Sequence, residues 1–366
     1  MKITLFILII GSLCACVQSN IKWVGIKNYP INAIWTKHDV CTKRNGFTWR
    51  QVRFCRQQFP WMLFAHDAAK DTVDECETVL KQHQWNCQTI NKAPAFNIDL
   101  KKDTKESAFV HALSASTLAL TVARGCMAGK LDKCTCLQRK QQISFPSEMV
   151  GRDNASSVNN LVGCKGILSV GKRFSSEFMS AGVRWKAKTD RHKMEMAVQK
   201  HNLNVGLQEL NGGEHISCTC NGATAGCTVK FCHRRLVLMQ DVANKLLNKY
   251  HNAVQTSRND FHDDNKSNTN KGTSLDIYKA ETKHEKSLIY LDNVDHCKTN
   301  KGVYSSTGRR CTAQKSSPDS CDKICCGKGH RIRRIEIHSK CNCKFVYCCD
   351  VKCETCVRYD TILECL

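Results

Sequence analysis

The chain opens with Lys2 followed by an uncharged, mostly apolar run from Ile3 to Leu13, then Cys14-Ala15-Cys16-Val17-Gln18-Ser19. A short basic start, about a dozen apolar residues and small residues ahead of a cut after Ser19 predict a cleaved signal peptide over 1–19. The run is too short for a permanent membrane anchor. A second stretch, Ser107 to Ala123, carries no Lys, Arg, Asp or Glu but contains His111 and five Ser or Thr residues. That mixture predicts a buried helix and not a span. Asp71 to Leu80 places Val73, Cys76, Val79 and Leu80 at helical spacing, with its acids expected at the helix start. Leu236 to Leu247 repeats the helical pattern, whereas Lys344-Phe345-Val346-Tyr347 favours a strand. Thr256 to Ser274 is almost wholly polar, with Phe261 its only large apolar residue. Such a stretch buries too little surface to offset the entropy of ordering and reads as an exposed linker.

Cysteine usage changes this picture. Of 26 cysteines, Cys14 and Cys16 leave with the signal peptide, so an even 24 remain. An oxidising secretory route turns such a set into crosslinks, and the mature chain is expected to hold no free thiol. Twelve lie between Cys41 and Cys232, none between Cys232 and Cys297, and twelve between Cys297 and Cys365. The division predicts an α+β, disulfide-rich fold. A mainly helical N-terminal domain (20–255) precedes a polar linker (256–285) and a small cystine-rich domain of β-hairpins (286–366). The C-terminal cysteines are too dense for a conventional core.

Charge and motifs narrow the function. The net charge of +22, or +21 without Lys2, points a secreted protein toward sulfated glycans and anionic surfaces. Neither an RNP-type motif nor zinc-finger spacing ending in paired His is present, so no nucleic-acid partner is expected. The run His330-Arg331-Ile332-Arg333-Arg334 is a glycan-binding candidate, against the plainer reading of a solvated strand face. Alternation puts Arg331 and Arg333 on one face and Arg334 on the other. Gly166-(x4)-Gly171-Lys172 imitates a phosphate-binding loop, but Arg173 stands where a Mg²⁺-holding hydroxyl belongs. Cys218, Cys220, Cys227 and Cys232 could hold zinc by count, against their C-x-C spacing and the secretory context. With neither G-x-S-x-G nor H-E-x-x-H present, no enzyme is expected, and a catalytic Cys would require an unpaired thiol. Asn154-Ala155-Ser156 and Asn265-Lys266-Ser267 are glycosylation sequons.

The context of the cysteines carries a resemblance over nearly the whole mature chain. Cys41-(x4)-Gly46-(x4)-Gln51-(x3)-Cys55 is followed by Glu75-Cys76, Trp85-Asn86-Cys87 and Ala123-Arg124-Gly125-Cys126. Next come Lys133-Cys134-Thr135-Cys136 and Cys218-Thr219-Cys220-(x6)-Cys227-Thr228-Val229-Lys230-Phe231-Cys232. Beyond the linker stand Gly308-Arg309-Arg310-Cys311, Cys321-Asp322-(x2)-Cys325-Cys326-Gly327-(x)-Gly329 and Cys341-Asn342-Cys343-Lys344-Phe345-(x2)-Cys348-Cys349. In this order they resemble the Wnt family of secreted signalling glycoproteins.

The resemblance implies the pairs Cys76–Cys87, Cys126–Cys134, Cys136–Cys164, Cys218–Cys232 and Cys220–Cys227. In the second domain it implies Cys297–Cys326, Cys311–Cys321, Cys325–Cys365, Cys341–Cys356, Cys343–Cys353 and Cys348–Cys349, which leaves Cys41 to join Cys55. It further implies a ligand that grips the cysteine-rich domain of a Frizzled receptor from two sides. The thumb is the hairpin 218–232, with a fatty acyl ester at its tip and Lys230 on its return strand. The index finger is the hairpin 341–356, with Phe345, Val346, Tyr347, Cys348 and Cys349 as an apolar knob. A lipoprotein-receptor-related co-receptor and heparan sulfate proteoglycans are the other implied partners, in the extracellular space or matrix. No cofactor is implied beyond that acyl group. The chain departs from the family pattern at the thumb tip, Asn221-Gly222-Ala223-Thr224-Ala225-Gly226, where Thr224 replaces the usual serine. Its hydroxyl is secondary and more hindered. Two readings follow: a ligand acylated on Thr224, or an unlipidated ligand or decoy. Tyr347 also replaces the usual finger Trp, and Leu161-Val162 precede Cys164 where Trp-Gly is common.

Overall fold

The computed structural model describes residues 20–30, 35–131, 134, 161–162, 166–183, 189–221, 229–257, 260, 284–297, 306–347 and 350–366; of 20, 161–162, 220–221 and 229–231 it describes the backbone alone. The helices are α1 Lys37–Val40, α2 Trp49–Gln57, α3 Met62–Leu80, α4 Ile98–Lys101, α5 Lys105–Met127, α6 Ile167–Gly182, α7 Asp190–Gln208, α8 Met239–His251 and α9 Cys321–Ile324. The strands are β1 Leu161–Val162, β2 Glu214–Asn221, β3 Val229–Leu236, β4 Val254–Gln255, β5 Ile289–Tyr290, β6 Arg310–Cys311, β7 His330–Val346 and β8 Asp350–Cys365.

Helix α5 is the axis of the helical region. Thr104 caps it by accepting from the Ser107 backbone N–H, and every residue from Glu106 to Ala123 is buried. Helices α3, α6, α7 and α8 surround it. Buried hydroxyls on it and against it reach carbonyls inside this packing: Ser116 Oγ donates to the Gly206 carbonyl and Ser175 Oγ of α6 to the Ala115 carbonyl, both at 2.8 Å. Two neighbours come very close. A Cβ on Gly171 of α6 would lie 2.0 Å from the Ala119 carbonyl oxygen, and one on Gly206 of α7 2.1 Å from that of Ala112. Gly171 therefore serves helix packing, with Gly166 at the left-handed N-cap of the same helix. The phosphate-loop imitation is absorbed by the fold. The core continues through Trp23, Phe47, Phe174 and Phe178, whose rings meet mostly edge to face.

Two helix boundaries differ from the sequence reading. Helix α3 begins at Met62, so Asp71, Asp74, Glu75 and Glu77 stand in its second half and not at its positive end. Phe59-Pro60-Trp61 start the turn, and Met62, Phe64, Ala65, Ala68 and Ala69 extend the buried stripe backward. Burial holds the Asp71 carboxyl above its ordinary pKa. Leu236 is the last residue of β3, and α8 starts three residues later.

The C-terminal region is a small antiparallel sheet of order β6-β8-β7. Among the described residues its apolar core is Cys311, Cys321, Ile324, Cys325 and Cys365, with Leu363 against it. Between the two regions, β4 and β5 pair in parallel, and Leu288 lies in the core of the helical body. Asn202 of α7 clamps Ile289 from both sides, donating to its carbonyl at 2.9 Å and accepting from its N–H at 3.0 Å. Among the described residues, no helix is long and apolar enough to cross a membrane. The expected signal peptide over 1–19, Cys227 and most of the linker lie outside the described residues.

Candidate functional site

Two hairpins project from these regions. In the first, β2 and β3 run antiparallel with Cys218 opposite Cys232, and that pair is disulfide-bonded. Two bonded sulfurs of the four remove the zinc reading. The root of this hairpin is fixed by Glu214, the first residue of β2. Its carboxylate accepts from the backbone N–H of Leu168 at 2.7 Å and of Gly166 at 3.1 Å. A carboxylate at the positive end of α6 satisfies N–H groups that the helix itself leaves unpaired. Val237 N–H donates to the Gly213 carbonyl at 2.8 Å, and β1 adds to β3 in parallel. Lys230 pairs through its backbone with Cys220. Thr224 and the tip around it lie outside the described residues.

The second hairpin, β7–β8, is long, exposed and stapled twice, by Cys341–Cys356 and Cys343–Cys353. A register shift between Cys341 and Lys344 places Asn342 in the left-handed region, at φ 47°, with its side-chain amide donating to Glu354. Beyond the staples the tip is apolar and uncovered: Phe345 is 71% and Tyr347 95% exposed, with Val346 between them. Cys348 and Cys349 lie outside the described residues. At the root, Cys325–Cys365 and Cys311–Cys321 bind the last strand to α9 and β6.

Arg331 and Arg333 share one face and one partner. Their guanidinium groups reach the nearly buried Glu364 carboxylate at 3.1 and 3.2 Å. Arg334 lies on the other face, over the Tyr359 ring at 4.5 Å. The three arginines are thus split, and two share one acid. Asn154 and Asn265 lie outside the described residues.

The remaining disulfides among the described residues are Cys41–Cys55, Cys76–Cys87, Cys126–Cys134 and Cys297–Cys326. Cys136, Cys164 and Cys227 are not among the described residues, and the side chain of Cys220 is not described. Sequence reasoning missed Glu214 and also the contacts joining the two regions. Gln84 Nε2 lies 2.9 Å from the Cys297 sulfur, and Arg309 donates to the carbonyls of Lys81 and Gln84. Glu106 accepts from Tyr250 OH at 3.1 Å and pairs with His296 at 2.9 Å. Burial first, and the Glu106 charge second, push the Tyr250 pKa well up. Nothing in local spacing marks residues this far apart.

A helical body with stapled, projecting hairpins defines a disulfide-built ligand that works through its surface. The Wnt family model matches residues 43–366, and the chain belongs to that family. The family consists of secreted signalling ligands and not enzymes. Protein Wnt-11 of Gallus gallus is 30% identical, covering 92% of this chain and 91% of that protein. Protein Wnt-11b of Xenopus laevis is 30% identical over 94% of each. Protein Wnt-5 of Halocynthia roretzi is 27% identical over 86% of this chain and 83% of that protein. A solved structure of human WLS in complex with WNT8A matches 84% of this chain and 94% of that one. Its TM-score of 0.55 and identity of 23% mark a shared fold.

Proposed function

We propose that this chain is a secreted Wnt ligand that grips the cysteine-rich domain of a Frizzled-type receptor with both hairpins and triggers developmental Wnt signalling. The observation that carries this reading is the uncovered Phe345-Val346-Tyr347 tip beyond two cross-strand disulfides. Large apolar side chains on a rigid tip are costly in water and bind at low entropic cost once a partner covers them. Thr224 is the proposed acyl acceptor of the other hairpin, because no other hydroxyl lies between Cys220 and Cys227. A lipoprotein-receptor-related co-receptor, and heparan sulfate held by Arg331, Arg333 and Arg334, complete the proposed set of partners outside the cell. Titration of the receptor domain tests the grip: Tyr347→Ala is expected to weaken binding by about 1–3 kcal/mol with secretion unchanged. Undiminished affinity would refute the finger contact. Thr224→Ser, followed by mass spectrometry of the 218–232 peptide, tests the acyl site, and an acyl group on another residue would refute it.

A further inference from the structure

The short stretch between β5 and Cys297 is held to the helical body in two chemically different ways. Ile289 is clamped by the neutral amide of Asn202. The residues after it depend on groups that titrate. Leu291 and Asp292 N–H both donate to the Asp103 carbonyl, at 2.8 and 3.1 Å. The Asp103 side chain is buried and accepts from Gln199 Nε2 at 2.9 Å. It faces Glu195 and Arg191 of α7 as well as Asp292 of the stretch itself. Arg191 supplies positive charge at this cluster, and it already binds both Asp292, at 2.6 Å, and Glu195, at 3.0 Å. The second oxygen of Glu195 is buried with no hydrogen-bond partner. Three carboxyl groups therefore surround one guanidinium. Four residues on, His296 meets Glu106 at 2.9 Å, beside Tyr250 and Lys105, which tethers the far end of the stretch to α5.

We infer that residues 291–297 form a proton-operated latch, docked on the helical body while the buried Asp103 holds a proton and loosened as that proton leaves. Ionising Asp103 adds a buried negative charge beside Glu195 and Asp292. Burial raises the Asp103 pKa from 3.8 to about 7, helped by Glu195 and Asp292 and opposed by Gln199 and Arg191. A raised folded-state pKa means docking is favoured at low pH and lost as pH rises toward that value, levelling off beyond it. The latch leads directly into the Cys297–Cys326 disulfide. Its opening frees the root of the C-terminal sheet from α5.

Amide exchange on the full secreted protein tests this, with protection factors corrected for intrinsic rates. From pH 6 to pH 8 the protection of the Leu291 and Asp292 amides is expected to fall about tenfold, as one titrating group with a pKa near 7 allows. The Ile289 amide serves as internal control and is expected to stay level. Asp103→Asn, an imitation of the protonated acid, is expected to keep Leu291 and Asp292 protected across the range. Asp292→Asn removes a negative charge that helps hold the Asp103 pKa up, so the midpoint is expected to fall in pH. Equal protection at both pH values, a change shared by Ile289, or an Asp292→Asn midpoint identical to the parent's would overturn the latch. If Asp103→Asn does not fold, the wild-type comparison of Leu291 with Ile289 decides alone.

Discussion

The helical body and the C-terminal sheet reach order by different means. The body buries Trp23, Trp85, Phe96, Phe109 and Phe178 around α5, and five long helices supply most of its backbone pairing. The sheet has five buried core residues, four of them cysteines, and most of β7 and β8 faces water. In the body, disulfides such as Cys76–Cys87 reinforce packing that already exists. In the sheet they take its place, because two strands without an apolar face are marginal by themselves. Rigid tips can then stand far from any core.

The comparison breaks most readily at one buried ring. Phe178 meets Trp23, Phe47, Phe54 and Phe174. Phe178→Ala is expected to cost about 3–5 kcal/mol in denaturant unfolding of the body. The signals of the finger hairpin should persist as long as the body stays folded. The converse test removes Cys325–Cys365, which closes the longest loop observed, 40 residues apart in sequence. The Cys325→Ala/Cys365→Ala pair is expected to lose about 2–5 kcal/mol of stability in the sheet, with the far-ultraviolet helical signal of the body unchanged. Loss of that signal would show that the regions fold as one.

Acid sharpens the difference further. His111 in α5 is fully buried with neither ring nitrogen partnered, and burial pushes its pKa down to about 3. An unfolded histidine binds a proton near pH 6.5, so the body's stability is complete above that value and is lost as pH falls toward 3. The loss is expected to approach 1.4 kcal/mol per pH unit, or about 2 kcal/mol at pH 5, and His111→Leu should abolish it. Asp103 contributes the opposite slope below pH 7, so the two variants have to be compared in pairs. The smallest effect belongs to the sheet surface. Arg333→Ala breaks one exposed contact to Glu364 and is expected to change stability by less than about 1 kcal/mol. Heparin elution is the more sensitive readout for that residue, since charge contacts there fall with salt.

Much of this architecture was legible in the chain. The uncharged stretch Ser107–Ala123 announced a buried helix, and its Ser114, Ser116 and Thr117 turned out to bond carbonyls of their own helix, Ser116 also one of α7. The cysteine spacing and strand-like Lys344–Tyr347 announced the finger. What stayed hidden depends on residues remote in sequence. The true start of α3 lies in an aromatic turn, where Pro60 and Trp61 obscure the helical period. Glu214 reads as an ordinary acid until the fold brings it to the amides of α6. Glu106 and His296 stand 190 residues apart, and no local period connects them.

The contact of Gly171 and Gly206 with the carbonyls of α5 also limits how this chain can drift over generations. A position already occupied by the smallest residue has no smaller replacement, and its opposite number is main chain, which no mutation trims. Compensation would require separating whole helices, so inherited variation is pushed outward. The tip of the β7–β8 hairpin, anchored covalently and exposed beyond its staples, is where new specificity can be tried at little risk to the body.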